Sequence, residues 1–197
     1  MERRIVDGEI TLVPYYPNYK TSLPWYQDAD VCKQVDNRNS VYDLKLLKAM
    51  YRYLNARGSL FYIKYRGRLC GDVCLHPDGE INIVVAKSFQ NKHIGRRVIG
   101  EIQKLAREQH IPKLHAEIYS FNAQSQRMFE RAGFHKAGDE LYEMELQLSN
   151  RKSARSVSGR FFHSSELGAV IVVVVVAVDE TVVARELFDH AVRRGEE

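Results

Sequence analysis

Apolar and polar positions along this chain change period several times, and each change marks an element. Residues 10–13 alternate as a short strand closed by Pro14, and residues 20–27 read as a brief helical piece holding the single tryptophan, Trp25. Between Tyr42 and Leu54 the apolar residues Leu44, Leu47, Tyr51 and Leu54 recur at helical spacing, and Gly58 stands where the helix should exit. Residues 60–65 and 68–75 are β-rich runs joined at Arg66-Gly67, a hairpin signal; Pro77-Asp78-Gly79 turns the chain into a third strand over 80–85. A helix from Ile94 to about Gln109 buries Ile94, Val98, Ile102 and Leu105 and sets its charges on the opposite face. A strand over 114–118 follows. Asn122 then caps a helix that buries Met128 and Phe129 and stops at Gly133, and strands over 134–137 and 141–148 finish the pattern. Hairpin-joined strands that later alternate with helices predict an α/β (α+β) fold, a mixed sheet covered on both faces.

After Leu148 the character changes. Residues 150–159 are polar, basic and Ser-rich, as a linker is. Residues 167–178 then run without a polar side chain, too short for the ~20 residues that a membrane-spanning helix needs and rich in strand-forming valine. The expectation is a strand that docks on a sheet edge, of its own domain or across a homodimer interface, followed by a helix carrying Val183, Leu187, Phe188 and Val192. The chain therefore divides into a domain over 1–149 and an extension over 150–197.

Composition narrows the class. The net charge is only +4, with 22 Lys/Arg against 18 Asp/Glu in residues 1–148 and 7 against 7 beyond. So weak an excess suits an anionic cofactor and not nucleic acid, which calls for a denser basic stripe. No apolar signal region follows Met1-Glu2-Arg3-Arg4, and no membrane span is expected. Cys32, Cys70 and Cys74 form an odd count without metal-ligand spacing, which reads as reduced thiols in a cytoplasmic protein; Cys70 and Cys74 are expected on the same side of one strand.

The chemistry concentrates between Ile81 and Phe134. An apolar strand (Ile81-Asn82-Ile83-Val84-Val85) feeds a polar loop (Lys87-Ser88-Phe89-Gln90-Asn91-Lys92-His93), and a helix opens at Ile94-Gly95-Arg96-Arg97. Loop amides aimed at a helix N-terminus make an anion site, since unpaired N–H groups and the helix dipole both favour phosphate. Lys92, Arg96 and Arg97 add full charges beside it. A phosphate-bearing cofactor is implied.

The stretch from Glu80 to Gly95, with Asn122-x-x-Ser125-x-x-x-x-Glu130-x-x-Gly133-Phe134, resembles the GNAT family of acetyl-CoA-dependent N-acetyltransferases, and within it the branch of ribosomal-protein N-terminal acetyltransferases. The resemblance runs from about Ile10 to Leu148. The family's pyrophosphate loop, Gln/Arg-x-x-Gly-x-Gly/Ala, is met by Gln90 and Gly95, with His93 where the first glycine is usual.

This resemblance implies a mostly antiparallel central sheet in which the strand at 80–85 splays from that at 114–118. It further implies acetyl-CoA as cosubstrate, with its pantetheine arm along Val84 and Val85. The diphosphate would lie on the amides of Gln90, Asn91, Lys92, His93, Ile94, Gly95 and Arg96, and Asn122 and Ser125 would face the arm and thiol. Glu80 would take the proton of the attacking amine, directly or through water, and the amide of Val84 or Val85 would stabilise the oxyanion. The tyrosine that often protonates the leaving thiolate is replaced by Phe129, leaving Ser125 or Tyr142 for that role. Trp25, Tyr26 and Asp36 fall in the region that covers the acceptor, where aromatic rings and a carboxylate suit a cationic amine. The implied activity is acetyl transfer to a primary amine of a small molecule or a protein N-terminus, without a metal. The alternative is a CoA-binding regulatory or interaction module that has lost turnover.

Overall fold

Two antiparallel sheets meet at a single point near the middle of the chain. The computed structural model describes residues 1–147. The boundary at 149, the linker, the 167–178 strand and its docking all lie outside the described residues. In chain order the elements are β1 (Arg4–Ile5), β2 (Ile10–Pro14), α1 (Tyr19–Ser22) running into a 3-10 turn (Leu23–Gln27), α2 (Ala29–Asp36) and α3 (Leu44–Arg57). Next come β3 (Ser59–Tyr65), β4 (Arg68–Leu75), β5 (Ile81–Val85), a 3-10 turn (Lys87–Phe89) and α4 (Ile94–Glu108). The set closes with β6 (Lys113–Glu117), α5 (Ala123–Arg131), β7 (His135–Lys136) and β8 (Leu141–Glu145).

One sheet has the order β1-β2-β3-β4-β5 and the other β6-β8-β7, and among the described residues a lone parallel bridge between Glu80 and His115 joins them. Gly79 permits that junction: its φ of +96° is a glycine conformation, and a side chain there would strike the Lys113 carbonyl. Beyond the bridge β5 and β6 part.

Period-two alternation sorts the larger sheet's side chains. Phe61, Ile63, Val73, Leu75 and Ile81 pack with Val98, Ile99 and Ile102 of α4 and with Phe129. Leu60, Tyr62, Cys74, Val84 and Ala86 pack on the other face with Trp25, Val31, Leu47 and Tyr51. Helices thus cover both faces, as the pattern predicts. A buried leucine such as Leu47 contributes about 1.5–3 kcal/mol by leaving water.

Several local expectations change. Cys70 and Cys74 do not share a side, because the β3–β4 register shifts between Ile63 and Lys64; Cys70 joins the α4 cluster and Cys74 the other. All three cysteines are buried free thiols, and burial pushes Cys70 and Cys74 up to about 12. The charged face of α4 is not wholly in water: Glu101 is buried and is held by Arg4 and Lys104, each at 2.9 Å. Met128 is only half-buried. Finally α2 falls where no helix is predicted; Asp28 caps it by accepting from the Val31 amide, and Asn37 ends it at φ +53°.

Candidate active site

The site is the wedge where β5 and β6 separate. Along β5 the backbone groups alternate in direction. The Glu80 carbonyl accepts from the His76 amide and the Ala86 amide donates to the Cys70 carbonyl, so even-numbered residues turn their backbone toward β4. Gly79 O accepts from the His115 amide, so odd-numbered residues turn toward β6. Ile83 and Val85 therefore present N–H and C=O groups to the wedge, and among the described residues no strand pairs with them there. This corrects the expectation for Val84, whose backbone faces β4 and whose side chain is core.

The loop after β5 is tightly wound. Asn91 and His93 both have left-handed backbone, with φ of +60° and +58°, and His93 is the cap residue of α4. Asparagine and histidine tolerate that region better than most residues, so His93 stands in for glycine at modest cost. Among the described residues no backbone N–H from 91 to 96 donates to a carbonyl or side chain; Arg97 is the first, bonding the His93 carbonyl at 3.3 Å. Such a run of amides without a protein acceptor can nest an anion. Gln90 is not part of it: its amide is given to Lys87, and its side chain turns inward to donate to Val85 O at 3.1 Å. Lys92 arches over the Phe89 ring and donates to Ser88 O, and Arg96 is exposed at the rim. Arg97 is instead spent on Asp7 and Glu9, at 2.7 and 2.9 Å. The arrangement fits a phosphate-bearing group with an extended amide arm: phosphates on the nest, the arm along the free edge of β5.

On the far wall, Asn122 is buried and caps α5 by accepting from the Ser125 amide at 3.1 Å. Ser125 is half-buried, and its hydroxyl makes no hydrogen bond among the described residues. Phe129 packs edge-on against Phe134 at 5.0 Å within the core and has no hydroxyl to give, and the Tyr142 ring is buried.

Glu80 stands at the closed end, about 16 Å along the strand from Val85 at ~3.3 Å per residue. Its carboxylate accepts from Asn82 Nδ2 at 2.9 Å, and Asn82 Oδ1 meets His76 Nε2 at 2.7 Å. His115 and Asp78 lie beside it.

Trp25, Tyr26 and Asp36 do not form one wall. Tyr26 is core, its hydroxyl bonded to the buried carboxylate of Asp72. Trp25 lines a cavity of about 760 Å3 with Pro24, Leu69, Arg68, Lys87 and Phe89, to which β6 and α5 contribute nothing. Asp36, at the end of α2, accepts from the Tyr42 hydroxyl, and burial raises its pKa despite that bond. It lies close enough to Tyr119, in the loop before Asn122, to raise that phenol's pKa as well. Asp36 is thus the member of the trio that lies near the loop leading into α5. Sequence reading missed α2 altogether, although Asp28 followed by Val31, Cys32 and Val35 carries a cap and a helical spacing.

Residues 22–134, more than half of the chain, match the acetyltransferase (GNAT) family. The chain belongs to this family. No curated relative matches it at a significant level. Among solved structures, a domain from Methanocaldococcus jannaschii superposes with a TM-score of 0.63 at 22% identity, covering 71% of this chain and 100% of the other. The Salmonella typhimurium acetyl transferase that modifies the N-terminal serine of ribosomal protein L7/L12 superposes at 0.60 with 13% identity, covering 74% and 100%. Salmonella typhimurium yncA, solved with its cofactor acetyl-CoA, does so at 0.56 with 20% identity, covering 76% and 100%. Identities this low establish the fold of a GNAT acetyltransferase and leave the acceptor open. No helix among the described residues is long and apolar enough to cross a membrane.

Proposed function

We propose that this GNAT domain moves the acetyl group of acetyl-CoA to a primary amine, of a small molecule or a protein N-terminus, by direct attack of the amine on the thioester. What carries the reading is the pairing of six unengaged amides at 91–96 with the unpaired edge of β5. The amides from Asn91 to Arg96 hold the diphosphate, Ile83 and Val85 pair with the pantetheine amides, and Asn122 and Ser125 flank the thiol. Acetyl-CoA supplies the activated carbonyl.

Glu80 takes the proton that the amine must lose, directly or through a water. The Ile83 amide, the nearer of the two wedge-facing amides to Glu80, stabilises the oxyanion while the new C–N bond forms and the C–S bond breaks. The thiolate needs little help, since a thiol of pKa ~8.5 is a tolerable leaving group, and Ser125 is the hydroxyl at hand. Positioning of the two reactants supplies much of the remaining acceleration. The mild basic excess suits an anionic cosubstrate without nucleic acid, and the domain is read as ending at residue 149.

Release of thiol from acetyl-CoA across a panel of amines tests this. Stimulation by at least one amine is the expected result. Phe129, which removes the usual acid, favours one other reading, a CoA-binding module without turnover. Binding of CoA with no amine-stimulated release selects it.

A further inference from the structure

Helix α2 is tied to both walls of the wedge through one residue. Gln34 Oε1 accepts from Gln90 Nε2 at 3.3 Å, and the same nitrogen also donates to Val85 O at 3.1 Å. The backbone carbonyl of Gln34 accepts from Asn122 Nδ2 at 3.1 Å. Flanking contacts repeat the span: Asp30 pairs with Lys87 at 2.7 Å beyond the β5 side, and Lys33 sits 5.3 Å over the Phe121 ring before α5. α2 is thus a strap across the opening, and Asp36 rides on its end.

The chemistry of the two ties differs. The Val85 carbonyl is a group that an amide arm lying on β5 would need, and here it is occupied by Gln90, which Gln34 holds in place. The Asn122 tie uses a backbone carbonyl, which no substitution at position 34 removes. We infer that Gln34 is a positioning residue: it stabilises the form in which Gln90 covers Val85 and α2 lies closed, and the cosubstrate must displace that pair to bind. The inference rests on the acetyl-CoA reading above. By linkage, whatever frees Gln90 tightens cosubstrate binding, and bound cosubstrate loosens the β5 side of the strap that carries Asp36.

The test is direct binding of acetyl-CoA to the full chain by calorimetry, with thermal unfolding in parallel. Gln34→Met keeps helix propensity and approximate shape but cannot accept from Gln90. It should lower the acetyl-CoA Kd about three- to tenfold, the worth of one net hydrogen bond in a competing state. The Michaelis constant for the amine at saturating acetyl-CoA should stay unchanged, because bound cosubstrate has already broken the Gln34–Gln90 pair in both proteins. Gln34→Glu retains an acceptor for Gln90 and should show no tightening. An unchanged or weaker Kd in Gln34→Met overturns the inference while leaving the acetyl-CoA reading intact. Equal tightening in Gln34→Glu overturns it too, since the bond to Gln90 would then be irrelevant. If the unaltered chain binds no acetyl-CoA, both fall.

Discussion

Tyr26 and Asp72 form a buried pair: the phenol donates to the carboxylate with 2.9 Å to each oxygen. Tyr51 donates to the same group at 2.7 Å. One carboxylate thus fastens the 3-10 turn and α3 onto β4, directly across from Val84.

Burial raises Asp72 from the ordinary 3.8 to about 7, the two phenol donors opposing part of the rise. The folded state therefore holds a proton that the unfolded state has released between those pH values. The contribution of Asp72 to stability is greatest below about pH 4, falls as pH rises through the interval, and levels above about 7. At 1.36 kcal/mol per unit the decline is about 4 kcal/mol at most. Chemical denaturation of Asp72→Asn across this range should give a flatter profile, and an undiminished slope would assign the decline elsewhere.

Gly95 sits in the first turn of α4, where an added Cβ would meet Met128 at an ordinary 3.5 Å. Gly95→Val should thus leave the unliganded protein folded, while its γ-carbons crowd the nest. Acetyl-CoA at 100 times its Kd should raise the stability of the unaltered chain by about 2.7 kcal/mol. That gain should vanish in Gly95→Val; a retained thermal shift would move the phosphate site elsewhere.

Glu80→Gln should lower kcat by about 100-fold or more, within the usual range for a lost general base, with little change in acetyl-CoA affinity. The deficit should shrink at high pH, where free amine is plentiful. Steady-state rates from pH 7 to 10 check both points, and an active variant at neutral pH would leave Glu80 as a structural partner of Asn82.

Phe129→Tyr should not restore an acid. The ring is 3% exposed and meets Phe134 edge-on, so a hydroxyl there enters the core. A destabilisation of about 1–3 kcal/mol is expected, the cost of an unsatisfied buried polar group. A faster enzyme of equal stability would mean that the hydroxyl reaches the wedge.

A chain ended at residue 149 should fold and retain acetyl-CoA binding, because every residue of the proposed site precedes that point. Light scattering beside the full chain reports whether the remaining residues drive assembly.

Much of this fold is legible because its elements bury one face each. The Ile94–Val98–Ile102–Leu105 stripe and the alternation through Phe61 and Ile63 have no other economical reading. The register shift at Cys70 is not, since nothing in the local letters distinguishes a bulged residue from a paired one. The same limit explains Val84: which residues turn toward the wedge depends on where the Ala86 amide meets β4, a tertiary fact. Trp25 and Tyr26 read alike in a sequence, yet one lines a cavity and the other holds Asp72. Gln90 is expected among the phosphate ligands because its motif neighbours are expected there, but its long side chain bonds the nearby Val85 carbonyl.

The single Glu80–His115 bridge has a consequence for how the molecule breathes. Interior position and protection from deuterium exchange ordinarily go together, because interior amides are locked in ladders. Here the ladder stops at the bridge, so the amides of Ile83 and Val85 lie between two sheets yet lack a strand to lock them. They should take up deuterium early, ahead of the Asp72–Val84 pair one residue away. The seam through the centre of this domain thus exchanges like a surface until something lies in it.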